Sequence, residues 1–174
     1  MNQLNDEGYG RGGGVLAGYS FLVAVFHMLF IGFLTAMARR HQKLPKSIAV
    51  TDILLLGTAT YKLSRVISKD SVTSFIRAPF TVYRGPAGSS EVKEDVRGTG
   101  VRKAIGELIT CPFCLGMWVA AILSYGLVLQ TRITRLAAAM FTIATLADAL
   151  QYGFEALRKS AEESDSSAQG GQAK

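Results

Sequence analysis

The 174-residue chain reads as an all-α integral membrane protein, and three observations carry that reading. The apolar residues are bunched into blocks of span length, the basic residues flank those blocks, and both ends are polar. A bilayer's hydrocarbon core takes about 20 predominantly apolar residues to cross as a helix. Gly12 to Ala38 is 27 residues with no charge other than a possible one on His27; Leu108 to Thr131 carries no charge, and Leu136 to Phe154 is interrupted only by Asp148. A soluble bundle with buried core helices is the competing class, and three windows of about 19 residues or more weigh against it.

Residues 1–14, "MNQLNDEGYGRGGG", form a polar, Gly-rich arm with too little apolar surface to order itself. Residues 15–38 are the first transmembrane helix. The small residues Ala36 and Ala38 would suit a signal peptidase, but the apolar stretch exceeds the roughly 7 to 15 residues of a signal h-region, so an uncleaved span is expected. After "RRHQKLPK", where Pro45 permits a new start, residues 47–66 form a helix that holds Asp52 and ends in Lys62 and Arg65. It either spans with snorkelling basic ends or lies at the interface. Residues 67–108 are the longest polar stretch, expected as an amphipathic loop at the membrane surface with a mobile, turn-rich centre, "PAGSSEVKEDVRGTG", after which "VRKAIGELI" returns to helical period over 101–109 and runs into the cysteines. Helices at 112–130 and 134–157 follow, then a flexible tail over 158–174. The sum is four membrane-embedded helices, three of them clear spans.

Charge sets partner and orientation. The net charge of +6 is placed beside the apolar blocks rather than on a separate polar module, which points to anionic lipid head groups and away from nucleic acid. Arg77, Arg84, Arg97, Arg102 and Lys103 are the head-group candidates. Between positions 62 and 103 there are nine Lys/Arg, against Arg132 and Arg135 between the last two blocks, so the long loop and the C-terminus are expected in the cytoplasm. A second copy or another envelope protein is the expected protein partner.

Two groups of residues could carry chemistry. In "TCPFC", Cys111 and Cys114 are three apart at the start of an apolar helix with Pro112 at its first position. A thiolate there meets the positive end of the helix dipole, which eases nucleophilic attack or metal ligation. A redox pair, a metal site and a plain helix start all remain open. Structural zinc takes four ligands, and His27 and His41 are poorly placed to complete a set, so zinc or iron would need the C-x-x-C units of two copies. In the second group, Asp52 and Asp148 lie in apolar blocks, and Tyr152 and Glu155 continue the Asp148 face at i+4 and i+7, with Gln151 adjacent. An acid at membrane depth needs a partner or a water-filled pocket. Lys62 or Arg65 is the expected partner of Asp148, and a proton or ion path is the functional alternative. Gly116, Ala120 and Ser124 give the small-residue spacing on which helices approach closely.

The motifs "ATYKLSRVISKD", "RAPF", "RGTG", "GELITCPFC" and "GMW", with the last apolar block, are together far more specific than the cysteine pair. Over about 100 residues the sequence resembles the domain of unknown function (DUF) 1360 family of small bacterial membrane proteins. The resemblance implies a bacterial cell-membrane setting and makes the first span an N-terminal addition to a unit beginning near residue 50. Some members of that family are associated with sporulation, and the family name assigns no activity. The expected function is that of a structural or accessory envelope protein rather than an enzyme, without an assigned cofactor. A membrane thiol-disulfide or metal-binding protein using Cys111 and Cys114, and a small transporter using the intramembrane acids, are the alternatives.

Overall fold

The computed structural model describes residues 14–41, 44–88 and 90–171, with side chains described through residue 162. The arm expected over 1–14 lies outside the described residues except for Gly14. Among the described residues six α-helices and one β-ribbon follow in order, with a 3-10 turn at Ser71–Thr73 between the second and third helices: α1 Gly14–Arg39, α2 Val50–Lys69, α3 Ser74–Arg77, β1 Thr81–Gly88, β2 Glu91–Val96, α4 Gly100–Thr110, α5 Pro112–Leu129 and α6 Thr131–Gly171. The fold is mostly helical. Among the described residues three helices are long and apolar enough to cross a membrane, Gly14–Arg39, Pro112–Leu129 and Thr131–Glu162.

The core is where α2, α5 and α6 meet. Leu115, Val119, Leu123 and Leu127 recur every fourth residue on α5 and so form one stripe, which packs on Leu56 and Ala59 of α2 and Ala138 of α6. Gly116 lies beside Thr60 and Ser64, and Asp52 shares a cavity with Leu127 and Val128, so α2 runs antiparallel to α5. It runs parallel to α6, with Asp52, Leu55 and Lys62 bonded in turn to Arg135, Thr142 and Asp148. The outward faces stay apolar, with Ile53 and Leu54 on α2, Ile133, Leu136 and Met140 on α6, and Phe21, Met28 and Ile31 on α1 all exposed.

Helix α1 lies along α4 and α5 in the same direction. Phe26 meets Trp118 edge to face at 5.3 Å and Phe33 stacks on Tyr125 at 4.5 Å. Its entry depends on small residues. A Cβ on Gly18 would sit 2.8 Å from Ala104 Cβ and 2.8 Å from the Gly100 carbonyl oxygen. Gly18→Leu should therefore lever α1 away from α4 while leaving the α2–α5–α6 core folded. Protease cleavage between residues 39 and 50 should then release α1 readily from the remainder in detergent; co-purification of the two pieces at the wild-type level would refute the role of this contact.

Residues 67–108 depart furthest from the sequence reading. The helix expected over 101–109 is present as α4, but in place of a mobile centre the segment before it folds into α3 and an antiparallel ribbon, which with α4 make a cap. Thr81 pairs with Val96 and Gly88 with Glu91, and register shifts at Tyr83/Gly85 and Pro86/Gly88 bend the ribbon. Gly85 and Gly88 have φ of 149° and 136°, a region that favours glycine, so the turn signals of "RGPAG" belong to a bulged hairpin rather than to irregular chain. Helix α2 begins at Val50 instead of 47, and α6 continues as helix to Gly171 where a tail was expected from 158.

Candidate functional site

Arg77 is the buried tie between the cap and α2. Arg77 is fully buried, and its guanidinium donates to Glu94 Oε2 at 2.6 Å, to the Ile67 carbonyl at 2.6 Å, to Thr73 Oγ1 at 2.9 Å and to the Asp70 carbonyl at 2.8 Å. The last carbonyls of a helix have no partner within it, and Arg77 supplies one for α2 while its ion pair reaches β2. Named from the sequence as a head-group contact, it is enclosed by protein and acts as a clamp. Arg97 and Arg102 donate to the carbonyls of Ala78 and Pro79, Arg84 pairs with Asp95 on the outer face of the ribbon at 2.6 Å, and Lys103 is 3.9 Å from Glu107.

The cysteine pair follows from one proline. Pro112 disfavours helical backbone in the residue before it, and Cys111 is extended at φ −102° and ψ 106°, which breaks what would otherwise be one helix from 100 to 129. Cys111 thereby becomes the N-cap of α5. Its sulfur accepts the Cys114 amide at 3.3 Å and lies 2.7 Å from the Cys114 sulfur, both thiols being free. Burial alone would push the Cys111 thiol up. The Cys114 thiol, the amides of Cys114 and Phe113 and the charge of Lys69 outweigh it and hold Cys111 below the usual thiol range. Cys114 is exposed, as is Phe113 between the two cysteines. This is an accessible dithiol with one sulfur favoured as thiolate and a second within reach to resolve an adduct. Among the described residues no three His, Cys, Asp or Glu side chains converge as metal ligands, so a metal on these thiols would draw further ligands from elsewhere.

The acids named within the apolar blocks, Asp52 and Asp148, are engaged. Arg135 holds Asp52 through two bonds of 2.8 Å, and Lys62, one of the two cations expected beside Asp148, donates to it at 2.6 Å. Asp148, Tyr152 and Glu155 line one side of a polar cavity of about 520 Å³, closed by Lys62, Arg65 and Asp70. Arg65 crosses to Glu91 of the ribbon at 2.6 Å. Asp70, at the end of α2, has its pKa raised, first by burial and then by the nearby Glu91, against the opposing charges of Lys62, Arg65 and Arg77. The Asp52–Arg135 pair was not anticipated. Its signal is that both residues stand within the first five positions of helices that start at the same end of the bundle.

His27 Nδ1 is 2.8 Å from the Val23 carbonyl, which only accepts, so Nδ1 carries the proton and the imidazole is tied to its own helix. Tyr19 donates to Glu107 and so links α1 to the helix that leads into the cysteines.

The profile of the family described as Protein of unknown function (DUF1360) matches residues 55–154. The chain belongs to this family. The matched span takes in most of α2, the whole cap, the dithiol, α5 and the first half of α6, and leaves α1 outside. The chain is also similar to the sporulation protein YjcA of Bacillus subtilis (strain 168), with 35% identity over 74 residues, 41% of this chain and 63% of that protein. It thus covers less than two thirds of that relative's length. No solved structure matches this DUF1360 member.

Proposed function

We propose that this DUF1360 member is a four-span protein of the bacterial cell membrane, with its cap in the cytoplasm, and that it serves as an accessory partner in the envelope. The observation that carries this reading is the course of α2. It runs the length of α5 in the opposite sense, from the α5–α6 turn back to the cap, with apolar residues on its outer face. A helix lying flat at the interface would not follow a span over that distance, and the Asp52–Arg135 and Lys62–Asp148 pairs satisfy the charges that hydropathy counts against it. On the cap side, the stretch from α2 to α4 alone carries nine basic positions, 62, 65, 69, 77, 84, 93, 97, 102 and 103, against six at 39, 40, 43, 46, 132 and 135 on the other side. The excess supports a cytoplasmic cap. The relative's name associates it with sporulation, and that is carried over no further than an accessory envelope role. Lipid with anionic head groups and a second copy or another envelope protein are the proposed partners.

Reporter fusions test the topology. A reporter active only outside the cytoplasm should be active when inserted at residue 44 and silent at residue 88. Equal behaviour at the two sites would mean that α2 does not span.

The 2.7 Å approach of two free sulfurs favours a second reading, thiol-disulfide exchange at the membrane edge. The Cys111 thiolate attacks a disulfide and releases one partner as a thiolate. The Cys114 sulfur, once deprotonated, then attacks Cys111, closing the Cys111–Cys114 disulfide and releasing the second partner.

A further inference from the structure

Below the dithiol, between α1 and α5, lies an apolar cavity of about 380 Å³ lined by Tyr19, Val23, Phe26, His27, Met117 and Trp118. Met117 and Trp118 are three and four residues after Cys114, so they lie on its side of α5 one turn deeper in the span. Three aromatic rings and an imidazole line this space, which is open on its outer side and falls within the range of roughly 300 to 1,000 Å³ of ligand-sized pockets. Phe26 and Trp118, at 80° to one another, give it two walls of different orientation. Both α1 and α5 are of span length, so an occupant reaches the cavity from the bilayer.

We propose that this cavity binds the ring of a lipid-soluble quinone and that the Cys111/Cys114 dithiol reduces it. The proposal rests on the dithiol reading above. The apolar aromatic lining suits a flat, uncharged ring better than a head group, and its Met117 and Trp118 walls lie one helical turn from a two-electron donor whose sulfurs are 2.7 Å apart. In the reaction the two thiols form one S–S bond and give up two electrons and two protons. The quinone takes up both and leaves as the hydroquinone, and a cytosolic thiol returns the protein to the dithiol. With Nδ1 of His27 committed to Val23, Nε2 is the acceptor of the neutral ring and can receive a hydroquinone hydroxyl.

Trp118 is the sole tryptophan in the chain, so its fluorescence reports on the cavity directly. The test uses the full chain in detergent and a short-tailed benzoquinone whose ring positions are all substituted, which prevents arylation of the thiols. In a Cys111→Ser, Cys114→Ser double variant, where binding occurs without chemistry, quenching should saturate. Adding Val23→Phe, which fills the cavity, should weaken binding about tenfold. In the anaerobic reduced wild type, two thiols should be lost for each hydroquinone formed. Quenching that rises linearly with quinone and ignores Val23→Phe would show a cavity filled only by acyl chains and would overturn the proposal. Saturable quenching with both thiols retained would overturn it equally, by removing the electron transfer. The dithiol reading fails separately, if glutathione disulfide forms no adduct at Cys111 of the Cys114→Ser variant.

Discussion

Replacing Arg77 with alanine should cost the cap about 3 to 5 kcal/mol, the usual effect of removing one partner from a buried ion pair. Arg77 is completely enclosed and Glu94 is 7% exposed, so the variant leaves a carboxylate without compensation in a dry site. It also removes the guanidinium donors to the carbonyls of Ile67 and Asp70 around the end of α2, leaving them the Thr73 hydroxyl. Hydrogen exchange in detergent would measure the effect locally. The amides of β1 and β2 should lose protection while those of α5 keep it, because the ribbon is tied down by Arg77 and the α5 stripe is not. Arg77→Lys should recover only part, since an ammonium cannot reproduce the planar fork that reaches two elements at once. Arg77→Met with Glu94→Leu should be more stable than Arg77→Ala, because it removes the stranded charge and refills the space. Wild-type protection of the ribbon in Arg77→Ala would refute the clamp.

The same residue shows where the sequence stops being legible. The span-length helices were readable because bilayer crossing depends on a sum over about 20 neighbouring residues, which any window of the sequence contains. The helix start at Cys111 was readable for a similar reason, as Pro112 constrains only its own position and the one before it. Arg77 was not readable in this way. In "SFIRAPF" an arginine among aromatics has the pattern of a membrane-surface anchor, and only the return of β2 seventeen residues later supplies the carboxylate that buries it. The ribbon was missed because its turn residues, "GPAGSS", dominated the local pattern, and its pairing rests on contacts between Thr81 and Val96 that no short window holds. Asp148 lay in between. Its need for a cation was evident from depth alone, but the choice of Lys62 over Arg65 depends on Arg65 being drawn away to Glu91 on the ribbon.

At the dithiol the expected result is a rate of alkylation at Cys111 that rises with pH through a midpoint below that of an ordinary thiol, about 8.5. The sign follows from the partners. A donor that favours the thiolate lowers the pKa, so the reactive form is already present at a pH where an unassisted thiol is protonated. Cys114→Ala removes the thiol that donates to Cys111 and leaves the amides in place. The midpoint should move up, and the rate at neutral pH should fall about tenfold if the pKa rises by about one. Cys114→Ser keeps a hydroxyl donor and should move it less. The same variant separates chemistry from packing. Treated with glutathione disulfide, Cys114→Ser should hold glutathione on Cys111 as a stable mixed disulfide, because no second sulfur is present to displace it, whereas the wild type should release glutathione and close its own disulfide. Cys111→Ser should form neither product at a comparable rate. Equal alkylation profiles for Cys111 in the wild type and Cys114→Ala would leave the short contact between the sulfurs a matter of helix packing, and the accessory membrane role would then stand without a redox centre.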